Sequence, residues 1–246
     1  MAQQMPSPAL PSLPEVAVYD LDRTLTDTGS WAHFIRYWLA HEAPWRVLLL
    51  PIAAGGAVAY ALGGLSRGQL KSWAHRWLIG SRVAEAQLSA QVQRFADAFV
   101  AAHALAAARA AIAADLTAGR RVVIASASHG FYVRAIAARL GVADVVATEA
   151  VRVGGFVTSR LDGENIYGPA KRAALVAWLD REGLDGAVLH FTSDHHSDLP
   201  CFQLAMERGG KVRCANPSAR LAAIAAQRGW PIVHWGQIRG SLFERA

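Results

Sequence analysis

Cysteine is scarce in this chain, whose 246 residues contain only Cys201 and Cys214. Two thiols are too few for a disulfide framework and too sparse for a thiolate metal site, so we expect a reducing, cytoplasmic compartment. Both side chains are predicted to be buried packing residues. Residues 1–14 lack any basic residue and any apolar run, which argues against a signal peptide, and their four prolines predict a disordered arm.

Charged residues are also few, at 18% of the chain against 53% hydrophobic residues. This balance excludes an intrinsically disordered protein and predicts a substantial core. Cations prevail among the charges, because 25 Lys and Arg face 19 Asp and Glu, for a formal net charge of +6. The excess favours an anionic partner, which is a nucleic acid, a membrane surface or a phosphorylated small molecule.

Short apolar runs typical of buried strands alternate with helical patterns along the chain. Strands are predicted at residues 16–20, 122–126, 144–148, 187–192 and 211–215, and helices at residues 131–140, 170–181 and 217–228. The alternation predicts an α/β fold built on a doubly wound parallel sheet. A Gly-Gly turn within residues 151–166 predicts a small hairpin.

The first two predicted strands are separated by about a hundred residues of mostly helical pattern, far more than one crossover helix needs. We therefore predict an all-helical cap at residues 30–114, inserted into a catalytic core of residues 15–29 and 115–246. Residues 31–80 contain five basic residues against Glu42 alone, and they hold five of the eight tryptophans. Most of the net positive charge therefore lies in the predicted cap.

Acidic and hydroxyl side chains follow the predicted strands. Asp20 and Asp22 follow the first strand, Ser126 ends the second, and Asp194 and Asp198 follow a later one. Open α/β sheets place their sites beyond the carboxyl ends of the strands, so these groups are expected to converge on one rim. Crowded carboxylates repel one another unless a cation lies between them, and an all-oxygen set favours Mg²⁺.

These residues match four ordered motifs of a known family. The chain resembles the haloacid dehalogenase (HAD) superfamily of aspartyl-phosphate phosphatases, in its phosphoserine phosphatase-like branch with a helical cap after the first motif (C1 type, subfamily IB). The motifs are Asp20-x-Asp22-x-Thr24, Ser126 at a strand end, Lys171 in Gly168-x-x-Lys171, and Asp194 with Asp198 in S-D-x-x-x-D. The resemblance covers residues 15–234 and departs from the usual glycines at Arg23 and Ser193.

The resemblance implies a role for each motif residue. Asp20 is the expected nucleophile, which forms an aspartyl phosphate, and Asp22 is the expected general acid and base. Mg²⁺ is expected on the Asp20 carboxylate, the Asp22 carbonyl oxygen and Asp194. Ser126 and Lys171 are expected to bind the other phosphoryl oxygens.

Other residues are expected to support the site or to meet the substrate. Thr24 and Asp198 are predicted to act from behind the reacting groups, Asp198 by orienting Lys171 or a metal-bound water. Asp27, Ser128 and His129 are candidates for contact with the substrate. These three candidates rest on their position beside the motifs.

Residues 47–66 form an uncharged run of twenty residues, long enough to cross a bilayer. A single crossing would place Asp20 and Ser126 on opposite sides of the membrane, so the segment must return to its starting side. It is then a buried cap helix, an interfacial or re-entrant hairpin broken near Pro51 or Gly55-Gly56, or an oligomer contact. Tryptophans and arginines flank the run, which also describes a peripheral membrane contact through residues 45–67 at the inner face of a membrane.

The predicted function is that of a Mg²⁺-dependent phosphomonoester hydrolase with an aspartyl-phosphate intermediate. The alternative is a lipid phosphate phosphatase at a membrane surface, because the cap loosely resembles that of bacterial phosphatidylglycerophosphate phosphatases. Phosphoserine is disfavoured, since Gly29 stands where that branch has an acidic residue for the substrate amine, although the nearby Asp27 keeps it open. Histidinol phosphate and a non-catalytic nucleic-acid binder are weaker alternatives, and no nucleic acid is expected as a partner.

Overall fold

The computed structural model describes residues 13–239, and this part of the chain forms one eight-stranded sheet. The strands are β1 Glu15–Tyr19, β2 Arg82–Ala84, β3 Arg121–His129, β4 Asp144–Val153, β5 Phe156–Asp162, β6 Val188–Ser193, β7 Val212–Ala215 and β8 Ile232–Val233. Their order is β2-β5-β4-β3-β1-β6-β7-β8, parallel from β4 to β8 and antiparallel at β5 and β2. The predicted doubly wound sheet is confirmed, while residues 1–12 of the predicted arm lie outside the described residues.

Helices cover both faces of the sheet. They are α1 Ser30–His41, α2 Leu50–Ala61, α3 Arg67–Ala74, α4 Glu85–His103, α5 Ala106–Thr117, α6 Gly130–Arg139, α7 Pro169–Arg181, α8 Leu199–Glu207 and α9 Ala219–Arg228. Short 3₁₀ turns at Pro44–Leu49 and His196–Asp198 and a π-helical turn at His75–Ile79 complete the described helical structure. The predicted hairpin is formed by β4 and β5, which join at Gly154 and Gly155, both with positive φ.

The apolar run of β1 is continuous because both faces of the strand are buried. Val16 and Val18 pack into the cluster under α7, α8 and α9, whereas Ala17 and Tyr19 pack into the cluster that contains α4 and α6 residues. Successive side chains of a strand point to opposite faces, so a central strand between two helical layers needs apolar residues at every position. Both predicted buried cysteines are fully buried and unpaired.

The residues inserted between β1 and β3 include a short strand that the helical pattern did not predict. In β2, Val83 pairs with Val157 of β5, so the cap extends the sheet edge beyond the hairpin. Helix α5 packs on β3, and its Asp115 accepts a hydrogen bond from the Tyr19 hydroxyl of β1. The predicted boundary between cap and core, at residue 114 within α5, stays a prediction.

The chain enters and leaves the cap through two segments that lie side by side. Thr26 and Ala104 form an isolated antiparallel bridge. On either side of it, the Asp27 amide donates to the His103 carbonyl at 2.9 Å, and the Leu105 amide donates to the Leu25 carbonyl at 3.0 Å. These paired segments, here called the hinge strands, lie directly after the first motif and directly before α5.

The buried-helix interpretation of residues 47–66 is wrong for the chain as described. Gly56 is the only buried residue of α2, and Leu48 and Leu62 are 80% and 81% exposed. The helix rests on α3 and on the turns at Pro44–Leu49 and His75–Ile79, with no further layer over it in the described structure. By length and composition, Pro44–Ala61 is the one described helical stretch apolar enough to cross a membrane.

Candidate active site

Lys171 and two aspartates form the buried centre of the motif residues. The Lys171 Nζ atom lies 2.8 Å from Asp20 Oδ1 and 2.8 Å from Asp198 Oδ1. Asp20 follows β1 directly, and Lys171 lies in the first turn of α7, where Gly168 with φ of 60° and Pro169 begin the helix. The structure therefore brings together the first, third and fourth motifs, as the sequence predicts.

Thr24 links Asp20 to Asp194 through its side chain. The Thr24 Oγ1 atom lies 3.4 Å from Asp20 Oδ2 and 3.2 Å from Asp194 Oδ1. The same hydroxyl accepts the backbone N–H of Asp194 at 3.0 Å. Thr24 thus fixes the distance between the two carboxylates from behind, which agrees with its predicted position.

Negative charge exceeds positive charge at this centre. Burial raises the pKa of the Asp20 carboxyl to about 7, with Lys171 opposing the shift and Asp198 adding to it. Burial also raises the pKa of Asp194 well above its ordinary value, and the nearby carboxylates of Asp20 and Asp198 contribute. A single ammonium cannot neutralise three buried carboxylates, so the site favours a further cation.

The donors at this centre fit Mg²⁺. They are the carboxylates of Asp20 and Asp194, which Thr24 holds near each other, and the backbone carbonyl of Asp22, two residues after Asp20. Within residues 13–239, no three His, Cys, Asp or Glu side chains are placed so that they could together hold a metal ion. Mg²⁺ needs no such set, because it binds through one or two carboxylates and completes its octahedron with waters and substrate phosphate.

Asp22 is held in place by two donors from the start of α1 and the end of β3. The Ser30 backbone N–H donates to Asp22 Oδ1 at 2.7 Å, and the Ser128 hydroxyl donates to Asp22 Oδ2 at 2.8 Å. Ser126 accepts the Ser128 backbone N–H at 3.1 Å, which places the second motif beside Asp22. Ser128, a candidate for substrate contact, therefore orients the predicted general acid.

The two departures from the family's glycines have structural explanations. Arg23 has a φ of 63°, in the left-handed region, so the turn after Asp22 has the backbone conformation that favours glycine. Ser193 donates its hydroxyl to Asp198 Oδ2 at 2.7 Å. Ser193 had no predicted role, and this contact shows that it holds Asp198.

Asp27 and His129 do not lie with the motif residues. The Asp27 carboxylate is paired with His103 and Arg239, each at 2.8 Å. His129 is 0% exposed and packs between the rings of Trp31 and Phe131. These contacts give no support to the substrate-contact role predicted for either residue. The Asp27 carboxylate is already paired with His103 and Arg239, and the His129 ring is fully buried.

Lys71 is a charged group near the site that the sequence analysis did not single out. From α3 of the cap, its ammonium donates to the backbone carbonyl of Ala127, between Ser126 and Ser128, and to Asn165 Oδ1. Burial lowers the pKa of Lys71 to about 7, and the Asp22 carboxylate opposes the shift. In the sequence Lys71 is one of five cations in residues 31–80, so only the fold distinguishes it.

A cleft of about 950 Å³ opens beside the site, between α3 and the β4–β5 hairpin. Its wall includes three arginines, Arg67, Arg76 and Arg160, against one acidic residue, Glu164. No motif side chain lines it, but it reaches Asn165, the partner of Lys71, and it extends to the residue preceding Lys171. The cleft is therefore a basic space that reaches the partner of Lys71 and the start of α7, while the motif carboxylates lie outside its lining.

The sequence and the fold place this chain among known hydrolases. Residues 17–203 match the model of the haloacid dehalogenase-like hydrolase family. The chain is 32% identical over 226 residues to the phosphoserine phosphatase SerB1 of Mycobacterium tuberculosis, covering 89% of this chain and 70% of that protein.

Solved structures share the architecture. A protein of unknown function from Bordetella pertussis Tohama I superposes with a TM-score of 0.78 at 24% identity, covering 90% of this chain and 99% of that one. A phosphoserine phosphatase solved as a phospho-aspartyl intermediate analogue gives a TM-score of 0.58 at 16% identity, covering 92% and 95%. At these identities the likeness shows the fold, and it agrees with the match to the family model. The resemblance seen in the motifs is confirmed: the chain belongs to the haloacid dehalogenase-like hydrolase family, as an enzyme of the phosphatase type.

Proposed function

We propose that the chain is a Mg²⁺-dependent phosphomonoester hydrolase that works through an aspartyl phosphate on Asp20. The observation that carries the proposal is the buried set of Asp20, Asp194 and Asp198 around one ammonium, Lys171. A purely structural cluster would pair its charges, whereas this one keeps an excess of carboxylates that a bound cation would balance.

Each motif residue has its own role in this mechanism. An Asp20 carboxylate oxygen attacks phosphorus in line with the leaving oxygen, and Lys171 and Ser126 bind the other phosphoryl oxygens. Asp22, fixed by Ser30 and Ser128, protonates the leaving oxygen and later takes a proton from the water that hydrolyses the intermediate. Mg²⁺, held by the Asp20 and Asp194 carboxylates and the Asp22 carbonyl, would neutralise charge on the phosphoryl oxygens.

Hydrolysis of an aryl phosphate tests this proposal. The purified chain is assayed with Mg²⁺, with EDTA, and as the variants Asp20→Asn and Asp27→Asn. We expect activity that needs Mg²⁺, a loss of at least about 10³-fold in Asp20→Asn and little change in Asp27→Asn, since Asp27 lies with His103 and Arg239. Activity that survives both EDTA and Asp20→Asn would exclude the mechanism.

Phosphoserine is one substrate to test, because a relative carries that activity in its name. Two features disfavour it. Gly29 has no side chain where an amine-binding carboxylate is expected, and a Cβ at Gly29 would face open space. The Asp27 carboxylate nearby in the sequence is already paired with His103. A screen that also includes histidinol phosphate, sugar phosphates, nucleotides and a lipid phosphate ranks the leaving groups by kcat/KM.

A phosphomonoester on a lipid head group is the second candidate substrate. The basic cleft and the exposed helix α2 are linked through α3: Trp73 of α3 lines the cleft and donates to the Ile52 carbonyl of α2 at 3.0 Å. Arg67 also lines the cleft, and its guanidinium lies over the ring of Tyr60 of α2. An anionic head group in the cleft would therefore leave its acyl chains beside the apolar helix.

We also propose the cytoplasm as the compartment. Cys201 and Cys214 are both buried and unpaired, which suits a reducing environment.

A further inference from the structure

One stretch of the chain concentrates exposed apolar side chains, and their surface is here called the apolar cap face. Its members are Trp45, Val47, Leu48, Leu50, Ile52, Val58 and Leu62, seven of the twelve large hydrophobic side chains that are exposed within residues 13–239. All seven come from one stretch of eighteen residues, whereas the other five are scattered over the described structure. A water-soluble surface disperses such side chains, so this concentration indicates a surface that binds something apolar.

Helix α2 lacks the polar stripe of an ordinary surface helix. Tyr60 is its only residue with a polar side chain, and Gly56 is its only buried residue. A Cβ at Gly56 would overlap the Trp73 ring, so the glycine lets α2 lie close against α3 while the rest of its surface faces outward. Helices that are apolar all round are normally enclosed by protein or by lipid, and the described protein does not enclose this one.

The charges around the face have one sign. Between Glu42 and Glu85 the chain contains no acidic residue, and five basic residues lie in that interval, with Arg46 next to Trp45 and Arg67 next to Tyr60. A second copy of this chain on the face would bring two such basic rims together in a symmetric contact, where they repel. An anionic surface instead attracts the rim, and tryptophan, tyrosine and arginine are the residues that favour the lipid head-group region.

Both ends of the stretch return to the protein. The turn at Pro44–Leu49 packs on α1, which belongs to the cap, and α2 is followed by α3, which packs on β5. The Arg46 guanidinium is tied to the backbone carbonyls of Arg76 and Trp77. A helix held at both ends against one body lies on a membrane surface rather than crossing it.

We propose that the apolar cap face docks on the surface of an anionic lipid bilayer, with α2 lying in the plane of the head groups. In this orientation the seven side chains insert among the lipids, and Arg46 and Arg67 meet lipid phosphates. Because Trp73 and Arg67 of α3 line the cleft and also contact α2, docking brings the cleft next to the membrane surface.

Vesicle co-sedimentation of the full chain tests the proposal without depending on the chemistry. The probes are phosphatidylcholine vesicles with and without phosphatidylglycerol, at low and high salt. The test variant is Leu48→Gln with Val58→Gln, and the matched control is Leu116→Gln with Val153→Gln, which changes two exposed apolar residues outside the face. We expect the wild-type chain and the control to pellet with anionic vesicles at low salt, and the test variant to bind about 100-fold more weakly.

Three results would overturn the proposal. They are no pelleting with anionic vesicles at low salt, equal pelleting with neutral vesicles, and a dimer in sedimentation velocity that dissociates in the test variant without any vesicle binding. Hydrolysis of a soluble aryl phosphate, measured on each variant, reports folding, because neither pair of substitutions touches the candidate site. If the wild-type chain hydrolyses the aryl phosphate but does not bind vesicles, only this inference is rejected. If it binds vesicles but does not hydrolyse the aryl phosphate, only the proposed function is rejected.

Discussion

The ammonium of Lys171 lies 2.8 Å from Asp20 Oδ1 in a setting where both side chains are buried. Replacing the lysine by methionine leaves Asp20 and Asp198 without their counter-charge, and breaking a buried pair costs about 3–5 kcal/mol. Urea unfolding of Lys171→Met should show a loss of that order. The matched control is Arg172→Met, which breaks a partly exposed pair with Glu207 and should cost less than about 1 kcal/mol. Equal losses in the two variants would contradict the assignment.

The stability of the metal-free protein should fall as pH rises. The pKa of Asp20 is raised from 3.8 to about 7 by burial, so the folded state holds this proton more tightly than the unfolded state. The stabilisation is complete below the unfolded pKa and is lost as pH increases through about 7. Urea unfolding in EDTA across this range should show the fall in the wild-type chain and a smaller one in Asp20→Asn. Adding Mg²⁺ at pH 8 should restore stability to the wild-type chain, and its failure to do so would argue against a metal at Asp20.

Removal of the Ser193 hydroxyl should reduce turnover. Ser193→Ala deletes the 2.7 Å hydrogen bond to Asp198, which in turn positions Lys171. The lost bond is worth about 1 kcal/mol, so we expect kcat to fall about fivefold to tenfold with KM nearly unchanged. Ser197→Ala, which removes a hydroxyl bonded to His195, is the control. A fall in kcat of the same size in the control would show that the loop, and not Asp198, is being perturbed.

Lys71 should affect substrate binding more than turnover. Since burial lowers its pKa to about 7, its charge is present below that pH and is lost above it. In the wild-type chain, KM for an anionic substrate should therefore rise as pH increases through 7. Lys71→Met should raise KM about tenfold at pH 6 and should remove this pH dependence. Arg109→Met on the exposed surface of α5 is the control, and an unchanged KM in Lys71→Met would exclude the role.

The sequence allowed the parts of the fold with a strong local signal to be predicted. Buried parallel strands such as β1 are continuous apolar runs, and the motif residues occur at fixed spacing, so Asp20 and Lys171 could be predicted from the sequence alone. Strands β2 and β8 have three and two residues, too short for a periodic pattern. Lys71 depends on a contact between distant segments, and Ser193 depends on a turn that brings it to Asp198. The exposure of α2 depends on the absence of a covering layer in the described structure, so none of these three features is visible in the local sequence.

The hinge strands limit how the cap moves relative to the core. Because the two antiparallel segments are hydrogen-bonded at Thr26 and Ala104, we expect them to bend together about one axis and to resist twisting. Elsewhere, the Lys71 ammonium of α3 donates a hydrogen bond to the backbone carbonyl of Ala127 in β3. A separation of the two parts about the hinge strands would therefore break the Lys71 contact with Ala127. We expect this contact to weaken as pH rises through about 7, because the Lys71 ammonium then loses its proton.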